Sequence, residues 1–243
     1  MAQSPITEPA PGGKSLPARL LGVFISPRSG YADVVARPRW LGALAVVVLI
    51  SATAVYAFMS TEVGQQAALD MNMRQAESFG RTITDAQYER MEQMAGYSKY
   101  FGAALQAISL PLMALVVAGI AFAVFNAALG GDATFKQTYA IVAHSGIVIA
   151  VQQLFVLPLD YARETLSSPT NLAVFLPFLD ESSFLARMLG SIDLFVIWWA
   201  INVSIGFAVL YRKRTGPIAT TLLVIYVTIG LVIAAVKTAL SGA

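Results

Sequence analysis

The stretch ALQAISLPLMALVVAGIAFAVFNA, residues 104–127, runs for 24 residues without an Asp, Glu, Lys or Arg. The hydrocarbon core of a bilayer is about 30 Å thick and takes roughly 20 apolar residues in a helix, so this stretch is long enough to cross it. Four more charge-free stretches lie around it: Trp40–Met59, Gln137–Pro158, Leu194–Tyr211 and Pro217–Val236. The sequence therefore predicts an all-α polytopic membrane protein, a bundle of five transmembrane helices.

The charged residues avoid these five stretches to an extent that chance does not explain. The stretches hold 104 of the 243 residues, and an even scatter of the 30 charges would place about 13 among them. Charged residues make up 12% of the chain, against about 25% in a soluble domain. This composition excludes a single soluble domain.

Basic residues predict which way the spans run. If each stretch crosses the membrane, residues 1–39, 128–136 and 212–216 share one side and carry nine Lys or Arg with three acids. The remaining segments carry seven Lys or Arg with eleven acids. Because loops rich in Lys and Arg stay in the cytoplasm, we expect a cytoplasmic N-terminus and a C-terminus outside.

The residues before the first span divide into two parts. Residues 1–15 begin with a Pro- and Gly-rich stretch that has no apolar periodicity, which predicts a disordered cytoplasmic tail. Residues 16–39 place apolar side chains at helical spacing, which predicts an interfacial amphipathic segment with a short N-terminal helix on the membrane surface. A basic collar, defined here as four residues, should bind the anionic lipids of the inner leaflet, unless its arginines only set the topology: Arg28, Arg37, Arg39 and Trp40.

Residues 40–240 form the predicted membrane domain, and the outer loop 60–103 is long enough to have structure of its own. Thr84 and Gln87 stand at the spacing of a capping box, and apolar residues follow at helical spacing. We expect a helical hairpin whose methionine-lined face packs on the spans or on the outer leaflet. Partner binding by that face is the alternative interpretation.

A second loop, 159–193, contains an apolar run that is too short and too interrupted to span the membrane. The run extends from Leu172 to Leu179 and is broken by Pro177. A spanning helix needs about 20 residues. We therefore predict a re-entrant or surface-lying segment in this loop.

Five polar residues in or beside the spans are candidates for a network in the bundle interior. Polar groups in hydrocarbon are costly unless they are hydrogen-bonded within the protein. We expect Asn126, near the end of the second span, to contact His144 in the third span, because a short loop joins these spans. Two interpretations are open: a substrate or proton path, or hydrogen bonds that hold helices together. The candidates are Asn126, His144, Gln152, Asn202 and, at the outer mouth of the fourth span, Asp193.

The residue inventory argues against enzymatic chemistry. The chain has no Cys and a single His, so it lacks a thiolate nucleophile and the histidines of a usual zinc triad. His144 and Ser145 are consecutive, and consecutive helical residues point about 100° apart, which excludes them as a catalytic pair. No nucleotide-binding or nucleophile motif occurs, and no basic run suggests nucleic acid. We expect no enzyme, no cofactor and no nucleic-acid partner.

Several short motifs, taken in their order along the chain, resemble the Ypt-interacting protein (Yip) domain family, in particular its bacterial members. Ser26–Tyr31 followed by Arg37–Trp40 resembles the entry of that family. Gly130–Ala143 is similar to its turn between the second and third spans. Asn171–Pro177 with Ser191–Trp198 resembles its approach to the fourth span. The similarity covers essentially residues 20 to 240 and includes five spans.

The resemblance implies an all-helical membrane protein with a cytoplasmic N-terminus, in a bacterial inner membrane. Eukaryotic members are associated with prenylated small GTPases, but residues 1–39 lack an acidic-aromatic motif of that kind, which argues against GTPase binding. Where members often carry an aromatic residue and a proline, this chain has His144-Ser145-Gly146.

Two functions fit the sequence. The first is a non-enzymatic, Yip-like scaffold that organises the membrane or partner proteins, with another membrane protein or a second copy of the chain as the partner. The alternative is a small-solute permease or channel with a polar interior around His144. The near absence of ionisable groups at membrane depth favours the scaffold, because transport paths usually need several such groups or matched broken helices.

Overall fold

The structure is a computed structural model that describes residues 13–128, 130–180 and 183–241. The predicted disordered tail, residues 1–15, lies mostly outside these ranges. Within them the regular structure is helical, apart from an isolated β-bridge between Asn171 and Asp193. The α-helices are α1 (Leu16–Ile25), α2 (Pro27–Ala36), α3 (Leu41–Met59), α4 (Glu62–Ser78), α5 (Asp85–Met94), α6 (Ser98–Phe122), α7 (Phe135–Ser145), α8 (Ile147–Ala162), α9 (Phe184–Gly190), α10 (Leu194–Leu210) and α11 (Thr215–Ser241).

Several helices begin at side chains that satisfy their first backbone N–H groups. Thr61 accepts from the N–H of Gly64 at the start of α4. At the start of α7 the Thr134 hydroxyl accepts from the N–H of Gln137, whose side chain accepts from the N–H of Thr134. These bonds fix helix ends that would otherwise leave donors unsatisfied.

Four helical runs are long and apolar enough to cross a membrane. They are Leu41–Met59, Asp85–Asn126, Phe135–Ala162 and Thr215–Leu240. The fourth predicted span corresponds to α10, which is apolar but has only 17 residues. The architecture is thus an all-helical bundle with four candidate membrane-spanning helices and one shorter apolar helix.

The first two helices fold into a hairpin, called here the N-terminal hairpin (α1 and α2), that packs on α7 and α10. It buries Leu20, Val23 and Val34 along with Tyr31, whose side chain is fully enclosed. Its opposite surface exposes apolar side chains such as Ile25. The expected N-terminal helix is therefore present, and it is one half of a hairpin packed on the bundle.

Small residues allow the hairpin to lie close to α10. A Cβ atom built on Gly30 would be 3.0 Å from the carbonyl carbon of Gly22, so the two helices of the hairpin touch through their backbones. A Cβ atom on Gly206 of α10 would collide with Ile141 and lie 3.2 Å from the ring of Tyr31. Close helix approach in membranes depends on small residues of this kind.

The loop between α3 and α6 is helical, as predicted. The capping interaction at the start of α5 is confirmed, because the N–H of Thr84 donates to Oε1 of Gln87 over 3.0 Å. α4 buries Ala67 and Leu69. α5 buries none of its residues, and Met94 is 57% exposed, because α5 leads into α6 through Ala95–Tyr97 as part of one long helical run. Met94 thus does not pack on the spans, and contact of the methionine-lined face with the outer leaflet stays a prediction.

Replacing Gly206 with Ala should weaken the contact between α10 and the N-terminal hairpin. The added methyl group meets Ile141 and Tyr31, and overpacking of this kind costs about 1–3 kcal/mol. Thermal unfolding in detergent should show a lower midpoint. The matched control is Gly119→Ala in α6, where a Cβ meets nothing within 4 Å; equal loss of stability in both variants would contradict the packing described.

Candidate functional site

A densely hydrogen-bonded polar group among the described residues is the carboxylate of Asp193, at the start of α10. Its Oδ1 accepts from the backbone N–H of Phe195 at 2.8 Å and of Val196 at 3.3 Å. An Asp at this position satisfies the free donors of a helix and carries a charge that the helix dipole favours. The local sequence Ser191-Ile192-Asp193-Leu194 thus explains where α10 begins.

Three further side chains donate to the same carboxylate from other parts of the chain. The Gln152 amide of α8 donates to Oδ1 over 3.0 Å. The hydroxyl groups of Ser168 and Thr170 donate to Oδ2 over 2.7 Å and 2.6 Å. Short bonds to an ionised acceptor are stronger than neutral ones, so the carboxylate ties α8 and the following loop to α10.

A tyrosine of α11 completes this group. The Tyr226 hydroxyl accepts from the backbone N–H of Asp193 at 2.9 Å and donates to the carbonyl of Ser191 at 2.7 Å. We call the whole arrangement the Asp193 cluster and use the name for five residues: Gln152, Ser168, Thr170, Asp193 and Tyr226.

The Asp193 cluster is suited to holding the chain in place. Asp193 is 8% exposed, and its two carboxylate oxygens accept five hydrogen bonds. Within the described residues, no group of three or more His, Cys, Asp or Glu side chains could hold a metal ion. A buried carboxylate so fully bonded joins α8 and the following loop to α10, and Tyr226 adds α11 through the backbone of Ser191 and Asp193.

The other predicted network residues do not join this cluster. His144 is fully buried, and its Nδ1 pairs with the carbonyl of Ala140 in its own helix at 2.7 Å. Asn202 donates to the carbonyl of Trp198, four residues earlier, at 3.2 Å. Asn126 donates to the carbonyl of Ala133 across the turn between α6 and α7.

The expected meeting of Asn126 and His144 is therefore not observed, because each bonds to a nearby carbonyl. In the described part of the chain, the Asn126 Oδ1, His144 Nε2 and Asn202 Oδ1 atoms are buried without a hydrogen-bond partner. Of the five predicted residues, the structure joins two directly, Gln152 and Asp193.

A second polar arrangement, at the N-terminal hairpin, was not predicted from the sequence. Nε of Arg19 lies 2.6 Å from Oδ2 of Asp33, and both side chains are largely buried. Arg19 also donates to the backbone carbonyl of Arg37 over 3.0 Å. The ion pair joins α1 to α2, and the bond to Arg37 joins α1 to the residue that follows α2. The partners are 14 residues apart across a turn, so no local spacing indicates them.

The same hairpin reaches the bundle interior through Tyr31. Its hydroxyl is 2.7 Å from that of Ser145 in α7, and Ser145 in turn donates to the carbonyl of Ile141. Burial raises the pKa of the Tyr31 phenol well above its ordinary value. The phenol is therefore protonated at neutral pH, and it forms a hydrogen bond with the Ser145 hydroxyl in which either group can donate.

The structure separates the members of the predicted basic collar. Arg28 and Arg39 are exposed, and Arg28 donates to the Thr215 hydroxyl at the start of α11 over 3.2 Å. Arg37 is half-buried. Trp40 packs edge-on against Tyr139 of α7, with ring centroids 5.1 Å apart. Trp40 thus fixes the start of α3 against α7, a packing role that the sequence did not indicate.

The surface grooves of the bundle lie away from these polar groups. A shallow groove of about 430 Å³ runs between α3 and α8 and continues into a second one of about 280 Å³. Leu154 contributes to both, and Gln153 lines the second. The first is lined by Leu49, Ile50, Thr53, Ala54, Ala57 and Leu154. These apolar, open grooves suit acyl chains better than a polar solute.

The model of the Yip1 domain family matches residues 21–236, nearly nine-tenths of the chain. No curated protein and no solved structure matches the chain significantly. The matched range includes all five charge-free stretches, the Asp193 cluster and most of the N-terminal hairpin.

Asp33→Asn should destabilise the N-terminal hairpin, because it leaves the buried Arg19 without its counter-charge. Removing one partner of a buried ion pair typically costs about 3–5 kcal/mol. Limited proteolysis in detergent should show faster cleavage within residues 13–39. The double variant Arg19→Met with Asp33→Asn should recover much of the resistance.

Arg39→Gln is the matched control for that experiment, because Arg39 is exposed. It changes the net charge by one unit, in the opposite direction to Asp33→Asn, and should leave the cleavage rate unchanged. If Asp33→Asn and Arg39→Gln behave alike, the ion pair does not hold the hairpin.

Proposed function

This chain belongs to the Yip1 domain family, and we propose that it is a non-enzymatic membrane scaffold that organises the membrane or partner proteins. The multi-pass membrane architecture is the part of this account that the family and the apolar helices establish. The scaffold role is our inference from how the polar groups are used.

The observation that carries the proposal is the internal use of polar groups at membrane depth. His144, Ser145, Asn202 and Ser204 each bond to a carbonyl four residues earlier in the same helix. Asp193 is occupied by five donors. Groups bonded in this way stabilise helices and their contacts, whereas a solute path needs polar groups that face a wet cavity.

We propose that α10 is the fifth span. Its 17 residues correspond to about 25 Å of helix, and Asp193 and Tyr211 bound it at either end. An odd number of spans places the termini on opposite sides, and the basic bias of the N-terminal side supports a cytoplasmic N-terminus. For a bacterial member this membrane is the inner membrane.

The basic collar gives the scaffold a cationic surface toward the inner leaflet. Arg19 and Asp33 neutralise each other inside the hairpin, so the charge of that side lies with the remaining basic residues. The exposed basic residues of this side include two of the collar, Arg28 and Arg39, and also Lys136 and Arg212. Such residues attract anionic lipids, each by about 1 kcal/mol near the surface. The hairpin would lie at this interface and hold the collar in a fixed position.

Replacing Arg28, Arg37 and Arg39 together with Gln should reduce the anionic lipid that remains bound to the purified protein. Native mass spectrometry in mixed detergent and phosphatidylglycerol should show at least a threefold loss of bound lipid. The control replaces three exposed arginines of the outer loops: Arg81, Arg90 and Arg163. Equal loss in both triple variants, or no loss in either, would contradict a specific collar.

Reconstitution separates the scaffold from the permease alternative. Proteoliposomes of the full chain should show no flux of protons or of a panel of amino acids, sugars and ions above empty vesicles. Flux that His144→Ala reduces would establish the permease. Crosslinking of the native protein in its membrane should, by contrast, recover a reproducible neighbour or a second copy of the chain.

A further inference from the structure

We propose that part of the loop between α8 and α10 is a re-entrant element inside the outer leaflet, where its aromatic side chains contact lipid acyl chains. We define this outer segment as residues 170–180 and 183–192. The proposal adds a lipid contact on the side opposite the basic collar and rests on where the Asp193 cluster lies along the helices.

Two helical distances place the cluster. Thr138 of α7 and Tyr211 at the end of α10 lie side by side, with their hydroxyl oxygens 3.4 Å apart. Gln152 comes 14 residues after Thr138, which corresponds to about 21 Å of helix. Asp193 comes 18 residues before Tyr211, which corresponds to about 27 Å. Both paths end at the bond between Gln152 and Asp193.

A third helix gives a similar depth. Gly230 packs against Ser191, since a Cβ on this glycine would lie 3.2 Å from the Cβ of Ser191. Gly230 is 15 residues from the start of α11, or about 22 Å. The three distances are all shorter than the roughly 30 Å of a hydrocarbon core.

Aromatic residues mark the two edges of that core. Trp40 and Tyr139 pair at the level of Thr138 and Tyr211, as expected of residues at a membrane interface. Tyr161, half-exposed near the end of α8, marks the other edge. It comes 22 residues after Tyr139, which corresponds to about 33 Å of helix. Gln152 lies nine residues before Tyr161, so the Asp193 cluster is inside this boundary.

The outer segment therefore starts and ends within the membrane. The chain leaves α8 at Ala162, beyond the boundary, and returns to Thr170, which bonds to Asp193 and whose carbonyl accepts from the N–H of Leu194 at 3.0 Å. The N–H of Leu172 donates to the carbonyl of Ile192 at 2.9 Å. These bonds close the two ends of the segment against each other.

The backbone of the segment meets the requirement for irregular structure in hydrocarbon. Unpaired N–H and C=O groups are not tolerated there, and the segment pairs many of its own. The N–H of Val174 donates to the Asn171 side chain, and that of Leu176 donates to the carbonyl of Ala173. The carbonyl of Ser191 is taken by Tyr226.

The side chains that the segment exposes are those that suit acyl chains. Phe178 is 79% exposed and Phe175 is 63% exposed. Val174, Phe184 and Leu185 are exposed beside them. α11, which packs on α9, also exposes apolar side chains beside Gly230, Ile229 and Val232 among them, so the patch continues an apolar helix surface that suits acyl chains.

A single label tests this placement directly, because the chain has no cysteine. Phe178→Cys, labelled with an environment-sensitive nitrobenzoxadiazole dye, is reconstituted into vesicles with and without brominated phosphatidylcholine. Leu49→Cys, on the exposed face of α3, is the lipid-facing reference, and Glu89→Cys on α5 is the aqueous one.

The label at 178 should be quenched by the brominated lipid at least threefold more than the label at 89, and by aqueous iodide no more than the label at 49. Quenching at 178 that matches position 89 would overturn the proposal and place the segment outside the membrane. Thr170→Val, which removes one donor to Asp193, should increase iodide quenching at 178 by at least twofold. Unchanged quenching in this variant would show that the Asp193 cluster does not hold the segment.

Discussion

A polar group in hydrocarbon must find its partner within the protein, and most of this structure follows from that constraint. Side chains in the helices meet it at the shortest range, by bonding to a carbonyl four residues earlier, as Ser145 and Ser204 do. Where a helix must begin at depth, the short-range solution fails because the first N–H groups have no carbonyl behind them. Asp193 supplies the acceptor at that position.

The same constraint explains two buried charged groups in different parts of the structure, Asp193 and the Arg19–Asp33 pair. At the start of α10 the carboxylate of Asp193 is surrounded by donors from α8 and the loop, with Tyr226 of α11 bonded to the adjoining backbone. At the N-terminal side the charge of Arg19 is matched by Asp33. In each case a charged group that would be costly to bury alone joins segments that are distant in sequence.

The general architecture could be read from the sequence because a charge-free stretch of 20 residues has few alternatives. Helix starts with Thr and Gln at capping spacing were equally readable, since the interaction is local. The hydrogen-bond partners of the buried side chains could not be predicted from the sequence. Gln152 and Asp193 were both candidates, but their pairing depends on the depth at which α10 begins. Asn126 and His144 were expected to meet each other, but each bonds to a backbone carbonyl that is closer in sequence. The Arg19–Asp33 pair depends on α1 and α2 folding back on each other, and the helical spacing of apolar residues within 16–39 does not indicate that fold.

The central claim is that the polar side chains at membrane depth are sealed inside the protein and do not line a path for water. Ser204→Cys tests it most directly, because Ser204 is fully buried at the centre of α10 and the chain has no other cysteine. In proteoliposomes, a membrane-impermeant methanethiosulfonate reagent should leave this cysteine unmodified from either side. Glu89→Cys on α5 should react within minutes. Rapid modification of the cysteine at 204 would contradict the account and place an aqueous path beside α10.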